Sequence, residues 1–200
     1  MGKKIYLNPG HGAGGDYGAC YYGRREADDA LLMCRKIRER LNAQGIETRM
    51  SRENTDGNGP YLKQIAEDAN KWGPDAVLIC HRNAFGDGSA HGAELYVYSS
   101  KTAANGEKLL NAAAGASGMS SRGVKERQDW LLLKDIAAPA YYLEYGFISN
   151  EEDNAKFDGT LDACADGLQR RCVRSWARRM PGWGTPSRRS RKSRRKRRSS

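Results

Sequence analysis

The sequence has no apolar run of the roughly 20 residues that an α-helix needs to span a bilayer. Its basic first residues pass directly into a strand-like segment, without the apolar region and cleavage site of a secretory signal. We therefore expect no transmembrane segment, and a chain made in the cytoplasm without a signal peptide. If the protein acts outside the cytoplasm, another process must carry it there.

Cysteine pairs of the CxxC type are also absent, although the chain has five cysteines. An odd count leaves at least one thiol unpaired, and Cys34, Cys164 and Cys172 fall in segments with helical patterns. This usage favours reduced structural thiols over a disulfide framework. A domain of about 180 residues can bury enough apolar surface to be stable without disulfides or a structural metal.

Acidic residues are missing from residues 167–200, which hold 14 Lys or Arg. The rest of the chain holds 20 basic and 24 acidic residues, a net charge of −4, although the whole chain carries +10. We predict one domain over residues 1–180, followed by a Pro/Gly linker and an Arg/Lys/Ser-rich tail over residues 181–200. Residues 187–200 contain nine Arg or Lys and no apolar residue, so we expect this basic C-terminal tail to be disordered.

Strand-like and helical patterns alternate along the predicted domain. Apolar residues predict strands over residues 4–8, 46–52, 75–80, 93–98 and 140–145, and a further short strand over residues 130–133. Apolar spacings of three and four predict helices from residue 26 to a stop at Gly45, and over residues 61–72, 101–119 and 151–179. The alternation predicts an α/β domain with a largely parallel sheet.

Four polar side chains lie at or just beyond the ends of these segments. His11 follows the first predicted strand, Glu26 begins the first helix, His81 follows a buried strand, and Glu144 lies near the end of the last strand. The carboxyl ends of parallel strands meet at one edge of the sheet, where sites in such folds lie. We therefore expect His11, Glu26, His81 and Glu144 to gather there.

Two histidines and a carboxylate are the kinds of ligand that a catalytic zinc ion uses, with a fourth position left for water. The bound water would ionise near neutral pH, and a carboxylate such as Glu144 could move its proton to a leaving amine. This chemistry is that of a metal-assisted amide hydrolase. Other interpretations stay open: His11 also fits a solvated loop residue, and Glu26 an ordinary acid in the first turn of a helix.

Four sequence blocks, in order, resemble the zinc-dependent N-acetylmuramoyl-L-alanine amidases of the Amidase_3 type. These enzymes are peptidoglycan hydrolases found among bacterial autolysins and phage endolysins. The blocks are residues 7–12 (LNPGHG), Glu26 at the head of the first helix, residues 75–84 (DAVLICHRNA) and residues 139–150 (PAYYLEYGFISN). With the residues between them, they cover residues 4–153.

The resemblance implies a twisted, mostly parallel sheet flanked by helices, with Zn²⁺ held by His11, Glu26 and His81 and with Glu144 as the catalytic carboxylate. The implied reaction cleaves the amide between N-acetylmuramic acid and the L-alanine of the stem peptide. Arg82 departs from the family pattern and brings a cation near the metal. We expect Arg82 to point towards substrate carboxylates, and Asn83 to lie near the site as a second substrate contact.

The resemblance also implies peptidoglycan as the partner and the bacterial cell wall as the place of action. With no signal peptide and no long wall-binding repeat domain, we expect a phage or prophage endolysin that reaches the wall after holin-type release through the membrane. The basic tail is expected to bind anionic wall polymers. Nucleic acid is the less favoured partner, because no aromatic residue interleaves the basic run to stack on bases.

Two alternatives differ in class from a muramoyl amidase. One is a non-catalytic protein that binds wall fragments, or that binds nucleic acid through the tail. The other is a zinc carboxypeptidase acting within the stem peptide. Loss of one of the four polar residues would have favoured a binding protein, and all four are present.

Overall fold

A computed structural model describes residues 3–177 of the chain. Six strands form the main sheet, and they span Lys4–Pro9 (β1), Glu47–Met50 (β4), Ala76–Asn83 (β5), Ala93–Val97 (β6), Ser121–Glu126 (β7) and Ala140–Phe147 (β8). A two-stranded hairpin consists of Cys20–Tyr21 (β2) and Arg24–Arg25 (β3). The helices span Glu26–Asn42 (α1), Leu62–Trp72 (α2), Ser100–Ser117 (α3), Leu131–Asp135 (α4) and Glu151–Ala177 (α5).

The main sheet has the strand order β4-β1-β5-β8-β6-β7. Strands β4, β1, β5 and β8 run parallel to one another, and β6 and β7 are parallel to each other but antiparallel to β8. The predicted α/β fold with a mostly parallel sheet is therefore confirmed. The predicted domain boundary at residue 180 and the disorder of the tail lie outside the described residues.

Alternate residues of the central strands pack against helices on opposite faces of the sheet. Ile5 and Leu7 join the larger cluster, to which α1, α3 and α5 contribute, whereas Tyr6 between them joins the smaller cluster with α2 and α4. The same alternation holds along β5, where Leu78 belongs to the first cluster and Ile79 to the second. A strand that is buried on both faces has a continuous apolar sequence, which is why β1 and β5 were predictable.

The structure differs from the sequence-based expectation at residues 130–133 and at β7, and the β2–β3 hairpin was not predicted either. Residues 130–133, predicted as a short strand, belong mainly to helix α4, because an apolar run of four fits a buried strand and a buried helical turn equally well. Strand β7 was not predicted. It is an edge strand with largely exposed side chains, so its sequence SRGVKE shows no apolar alternation. Strand β7 is held in the sheet by its backbone pairing with β6.

Helix α5 begins where the sequence predicted. The Asn150 side chain accepts a hydrogen bond from the Asp153 backbone N–H at 2.9 Å and so caps the N-terminus of the helix. Among residues 3–177, no helix is long and apolar enough to cross a membrane.

Two glycines of α5 test how tightly this helix packs. A Cβ at Gly167 would lie 2.5 Å from the Ala112 carbonyl oxygen of α3, whereas a Cβ at Gly159 would meet no atom within 4 Å. We expect Gly167→Ala to lower the free energy of unfolding by about 1–3 kcal/mol, because the helices must move apart. Gly159→Ala should raise it by up to about 1 kcal/mol, because alanine favours the helix. Chemical denaturation of both variants measures the difference, and equal effects would contradict the close packing.

Candidate metal centre

Three side chains from different parts of the chain meet at the carboxyl edge of the sheet. His11 lies two residues beyond β1, Glu26 is the first residue of α1, and His81 lies near the end of β5. The Glu26 Oε2 atom is 3.0 Å from His11 Nε2, and Glu26 Oε1 is 2.7 Å from His81 Nδ1. One potential ligand atom from each residue lies within 4.8 Å of the other two. The predicted convergence of these residues is therefore present in the fold.

Small residues allow this close approach. A Cβ at Gly10 would lie 2.2 Å from His81 Cε1, so only glycine lets the loop after β1 pass against the imidazole ring. Gly18 has a positive φ of 67°, and a Cβ there would lie 2.6 Å from Glu26 Oε2. The glycine-rich sequence after β1 thus makes room for the side chains of Glu26 and His81.

The buried Arg52 side chain joins the backbone segments that carry two of the three residues. Its Nη2 donates to the Gly10 carbonyl at 2.6 Å and to the Ala27 carbonyl at 2.8 Å. These carbonyls belong to the residues next to His11 and Glu26 in the chain. Arg52 therefore sets the distance between the loop after β1 and the first turn of α1. Sequence reasoning missed this role, because nothing in the residues around Arg52 indicates which carbonyls it reaches.

The three groups strongly affect one another's ionisation. Burial acts to lower the pKa of His11, but hydrogen bonds and charge from Glu26 and then Asp16 outweigh burial and raise it to about 9. Burial acts to raise the pKa of Glu26, but the two histidines outweigh it and hold that pKa far below its ordinary value. For the more deeply buried His81, burial prevails over the Glu26 contact and lowers the pKa.

This donor set fits a zinc ion. Two imidazoles and one carboxylate form one of the common three-ligand sets of catalytic zinc. The Asp16 carboxylate lies 2.8 Å from His11 Nδ1, the ring nitrogen that faces away from Glu26. A carboxylate on the outer nitrogen of a ligating histidine fixes the orientation of the ring and raises its basicity. Asp16 was not among the predicted site residues, although its place five positions after His11 in a glycine-rich loop could have suggested it.

Glu144 lies beside these residues on the same sheet face. Its Cα is paired with that of His81 on β5 and with that of Glu94 on β6. The Glu144 carboxylate is buried, and its Oε2 atom has no hydrogen-bond partner among the described residues. Burial, and then the negative charges of Glu26 and Glu94, raise the pKa of Glu144 to about 8. A carboxyl group in this state is suited to taking up a proton.

A cleft of about 610 Å³ opens over the histidines and is lined largely by aromatic and apolar side chains. The Tyr142 ring stacks on the His81 ring with centroids 4.4 Å apart, and the Trp130 ring contacts Tyr142 at 4.5 Å. Tyr142 lies two residues before Glu144, so the two side chains share a face of β8. The position of Tyr142 in the cleft follows from the two-residue period of the strand. The position of Trp130, which directly precedes helix α4, depends on how that helix packs.

Arg82 is placed where it cannot reach this cleft. Its side chain is only 1 % exposed and points to the opposite face of the sheet from His81. There it forms an ion pair with Asp29 at 2.7 Å, donates to Asn154 at 2.7 Å and stacks over the Phe157 ring. The burial contradicts the expected substrate contact by Arg82. Its cause is the strand period, because successive side chains point to opposite faces.

Asn83 is half-buried and uses its amide within the protein. Its Nδ2 donates to Glu94 Oε1 at 2.8 Å, and its Oδ1 accepts from the Ala84 backbone N–H at 2.8 Å. The side chain thus links the end of β5 to β6. Whether substrate also contacts Asn83 stays a prediction.

Comparison with known proteins gives a consistent family match. A family model described as N-acetylmuramoyl-L-alanine amidase, Amidase_3, matches residues 5–163. The probable cell wall amidase LytH of Staphylococcus aureus is 30 % identical over 178 residues, covering 84 % of this chain and 58 % of LytH. The chain therefore spans less than two thirds of the length of that relative.

Solved structures of similar fold cover nearly the whole described chain. An N-acetylmuramoyl-L-alanine amidase from Clostridium difficile 630 aligns with a TM-score of 0.80 and 24 % identity, over 90 % of this chain and 99 % of that one. The catalytic domain of CwlV from Bacillus (Paenibacillus) polymyxa aligns with a TM-score of 0.79 and 24 % identity, over 88 % and 98 %. At this identity the likeness shows a shared fold.

The buried Arg82–Asp29 pair beneath the site can be tested against a neighbouring exposed pair. We expect Asp29→Asn to lower the free energy of unfolding by about 3–5 kcal/mol, because it leaves the buried Arg82 cation without its counter-charge and also removes the Arg24–Asp29 pair. Asp28→Asn removes the more exposed Arg25–Asp28 pair one position earlier in α1 and should cost no more than about 1 kcal/mol. Urea denaturation of the two variants decides the point. Similar losses would mean that the Arg82 pair is not needed for stability.

Proposed function

Because the chain belongs to the N-acetylmuramoyl-L-alanine amidase family, Amidase_3, we propose that it hydrolyses the amide between N-acetylmuramic acid and the L-alanine of the stem peptide in peptidoglycan. The observation that carries the proposal is the meeting of His11, Glu26 and His81 beside the buried Glu144 at the carboxyl edge of the sheet. This chain covers 58 % of the length of LytH, so the activity of the whole protein remains part of the proposal.

We propose that zinc is the metal and that His11, Glu26 and His81 hold it. The support is the chemistry of the donor set and the Asp16 carboxylate on the outer nitrogen of His11. In such sites zinc polarises the scissile carbonyl and brings the pKa of bound water near 7. In the chain alone His11 carries a proton at neutral pH, because its pKa is raised to about 9. Metal binding at His11 must therefore displace that proton.

Glu144 is the residue proposed to move protons during the reaction. Its Oε2 has no hydrogen-bond partner among the described residues, and in the ionised form of Glu144 this atom can accept the proton from the attacking water. The raised pKa of Glu144 then keeps that proton bound until the amine departs. The carbon–nitrogen bond of the amide then breaks, and Glu144 gives the same proton to the departing amine of L-alanine. The products are the free lactyl carboxylate of muramic acid and a peptide with a new amino terminus.

The proposed place of action is the bacterial cell wall. LytH, the relative described above, is named as a probable cell wall amidase. Endolysin origin, holin-type release and the binding of anionic wall polymers by residues 181–200 stay predictions that the described residues do not test.

The metal assignment predicts which histidines are needed for zinc. We expect His11→Ala and His81→Ala to lose most of the bound zinc, because each removes one of three ligands. His91→Ala is the matched control, because His91 is exposed and bonded to Ser120 outside the cluster, and it should retain full metal content. Elemental analysis of protein purified with added zinc measures all three. Unchanged zinc in both ligand variants would contradict the assignment.

The role of Glu144 predicts a separation of catalysis from metal binding. We expect Glu144→Gln to lower kcat by about 10²–10⁴-fold, because the amide has a similar shape but cannot accept the proton. Zinc content should stay at the level of the unchanged protein. The assay measures new L-alanine amino termini released from purified peptidoglycan, with mass spectrometry of the products. Full activity of the variant would overturn the proposed role, and cleavage between two amino acids would indicate a carboxypeptidase.

A further inference from the structure

Three cations lie together at the β7 edge of the sheet, and none of them was among the predicted site residues. We name Arg122, Lys125 and Arg127 the cationic shelf. The first two belong to β7, and Arg127 follows it directly, donating its backbone N–H to the Val97 carbonyl at 2.9 Å. Their side chains are 39–45 % exposed, in contrast to the buried Arg82.

An irregularity in β7 brings the shelf cations to one face of the sheet. Ser121 pairs with Ala93 and Val124 with Leu95, so Arg122 and Gly123 together face the single residue Glu94. In a regular strand, residues three apart point to opposite faces. The extra residue allows both Arg122 and Lys125 to contact Glu94, at 3.0 and 2.5 Å.

Glu94 holds these cations in place without using all of their donors. Its Oε2 accepts from Arg122 Nε and Lys125 Nζ, and its Oε1 accepts from Asn83 and from the Tyr96 hydroxyl. A lysine ammonium has three donors and a guanidinium has five. The buried carboxylate therefore acts as a fixed anchor, while partly exposed donors of both cations remain available to a ligand.

The third cation contacts two residues of the cleft wall. The Arg127 guanidinium lies over the Trp130 ring at 5.0 Å, and Trp130 lines the cleft together with Asp129. The contact of Arg127 with Asp129, at 3.3 Å, is an exposed ion pair, and such pairs contribute little free energy. A ligand carboxylate could therefore replace Asp129 as the partner of Arg127 at little cost in free energy.

Arg127, at one end of the shelf, lies within reach of a peptide held at the metal centre. Ring contacts of 4.4 Å from His81 to Tyr142 and 4.5 Å from Tyr142 to Trp130 lead towards Arg127. About four residues of an extended peptide, at ~3.4 Å each, can span this path. A stem peptide that begins with L-alanine at the scissile amide would place its later acidic groups near the shelf.

We propose that the cationic shelf binds carboxylates of the stem peptide and thereby selects acidic over amidated peptides, an inference that rests on the amidase function proposed above. Its three cations face two carboxylates, Glu94 and Asp129, which leaves an excess positive charge for the ligand. Arg122 and Lys125 are fixed by Glu94, and Arg127 contacts the cleft wall. The proposed binding of substrate carboxylates by the shelf is the role that was expected of Arg82 from the sequence.

The kinetic test compares soluble muramoyl-peptides that carry either free carboxylates or carboxamides. Arg127→Gln and Lys125→Gln should each raise KM for the acidic substrate about five-fold, the upper range for an exposed ion pair, with kcat little changed. KM for the amidated substrate should stay constant. Asp129→Asn should lower KM for the acidic substrate, because it frees Arg127. The matched control is Lys134→Gln, which removes an exposed cation of α4 outside the shelf.

A binding measurement separates this proposal from the amidase function. Calorimetric titration of the zinc-loaded full chain with a synthetic acidic tetrapeptide, and with its carboxamide form, needs no turnover. Weaker binding of only the acidic peptide by the shelf variants supports the proposal even if wall cleavage fails. Equal KM and Kd values in the shelf variants and in Lys134→Gln, with the wall still cleaved, would overturn the shelf and leave the amidase assignment intact.

Discussion

Two of the hydrogen bonds of the Glu26 carboxylate connect the parts of the protein on which the site depends. One oxygen contacts His11 beyond β1 and the other contacts His81 on β5, so one side chain at the start of α1 joins two strand ends. A buried carboxylate is costly unless it is paired. The two imidazoles and the backbone N–H groups of Ala19 and Arg82 provide that pairing in the chain alone, and the imidazole contacts hold the three donor residues close together. Arg52 and Gly10 support the same arrangement from the backbone side.

Because side chains alternate along each strand, the two faces of the sheet carry charged groups with different roles. On one face, His81 lines the cleft and Glu144 is paired with it on the neighbouring strand. On the other face, Arg82 is buried between α1 and α5, where Asp29 and Asn154 bind it. Neighbouring residues of β5 therefore have different roles. His81 faces the cleft and Arg82 supports the fold, because successive side chains of a strand point to opposite faces.

Much of this organisation could be predicted from the sequence, for physical reasons. Buried parallel strands are continuously apolar, so β1, β5 and β8 were recognised, and side chains at their ends had to share one edge. The remainder depends on contacts between distant segments. The polar sequence of β7 pairs only because β6 lies beside it, and Arg52 acts through backbone carbonyls that no sequence pattern identifies. The Arg82 prediction was wrong because proximity in the chain to His81 was taken as proximity to the cleft.

The exposed cations of β7 have a further consequence for how the molecule behaves in solution. A strand at the edge of a sheet offers unpaired backbone groups to which another chain can add, and charged side chains on that edge oppose such pairing. Strand β4, at the other edge, also carries charged residues, Glu47 and Arg49. Both borders of the sheet are therefore protected against strand addition between molecules, and the β7 cations proposed to bind the stem peptide also oppose aggregation.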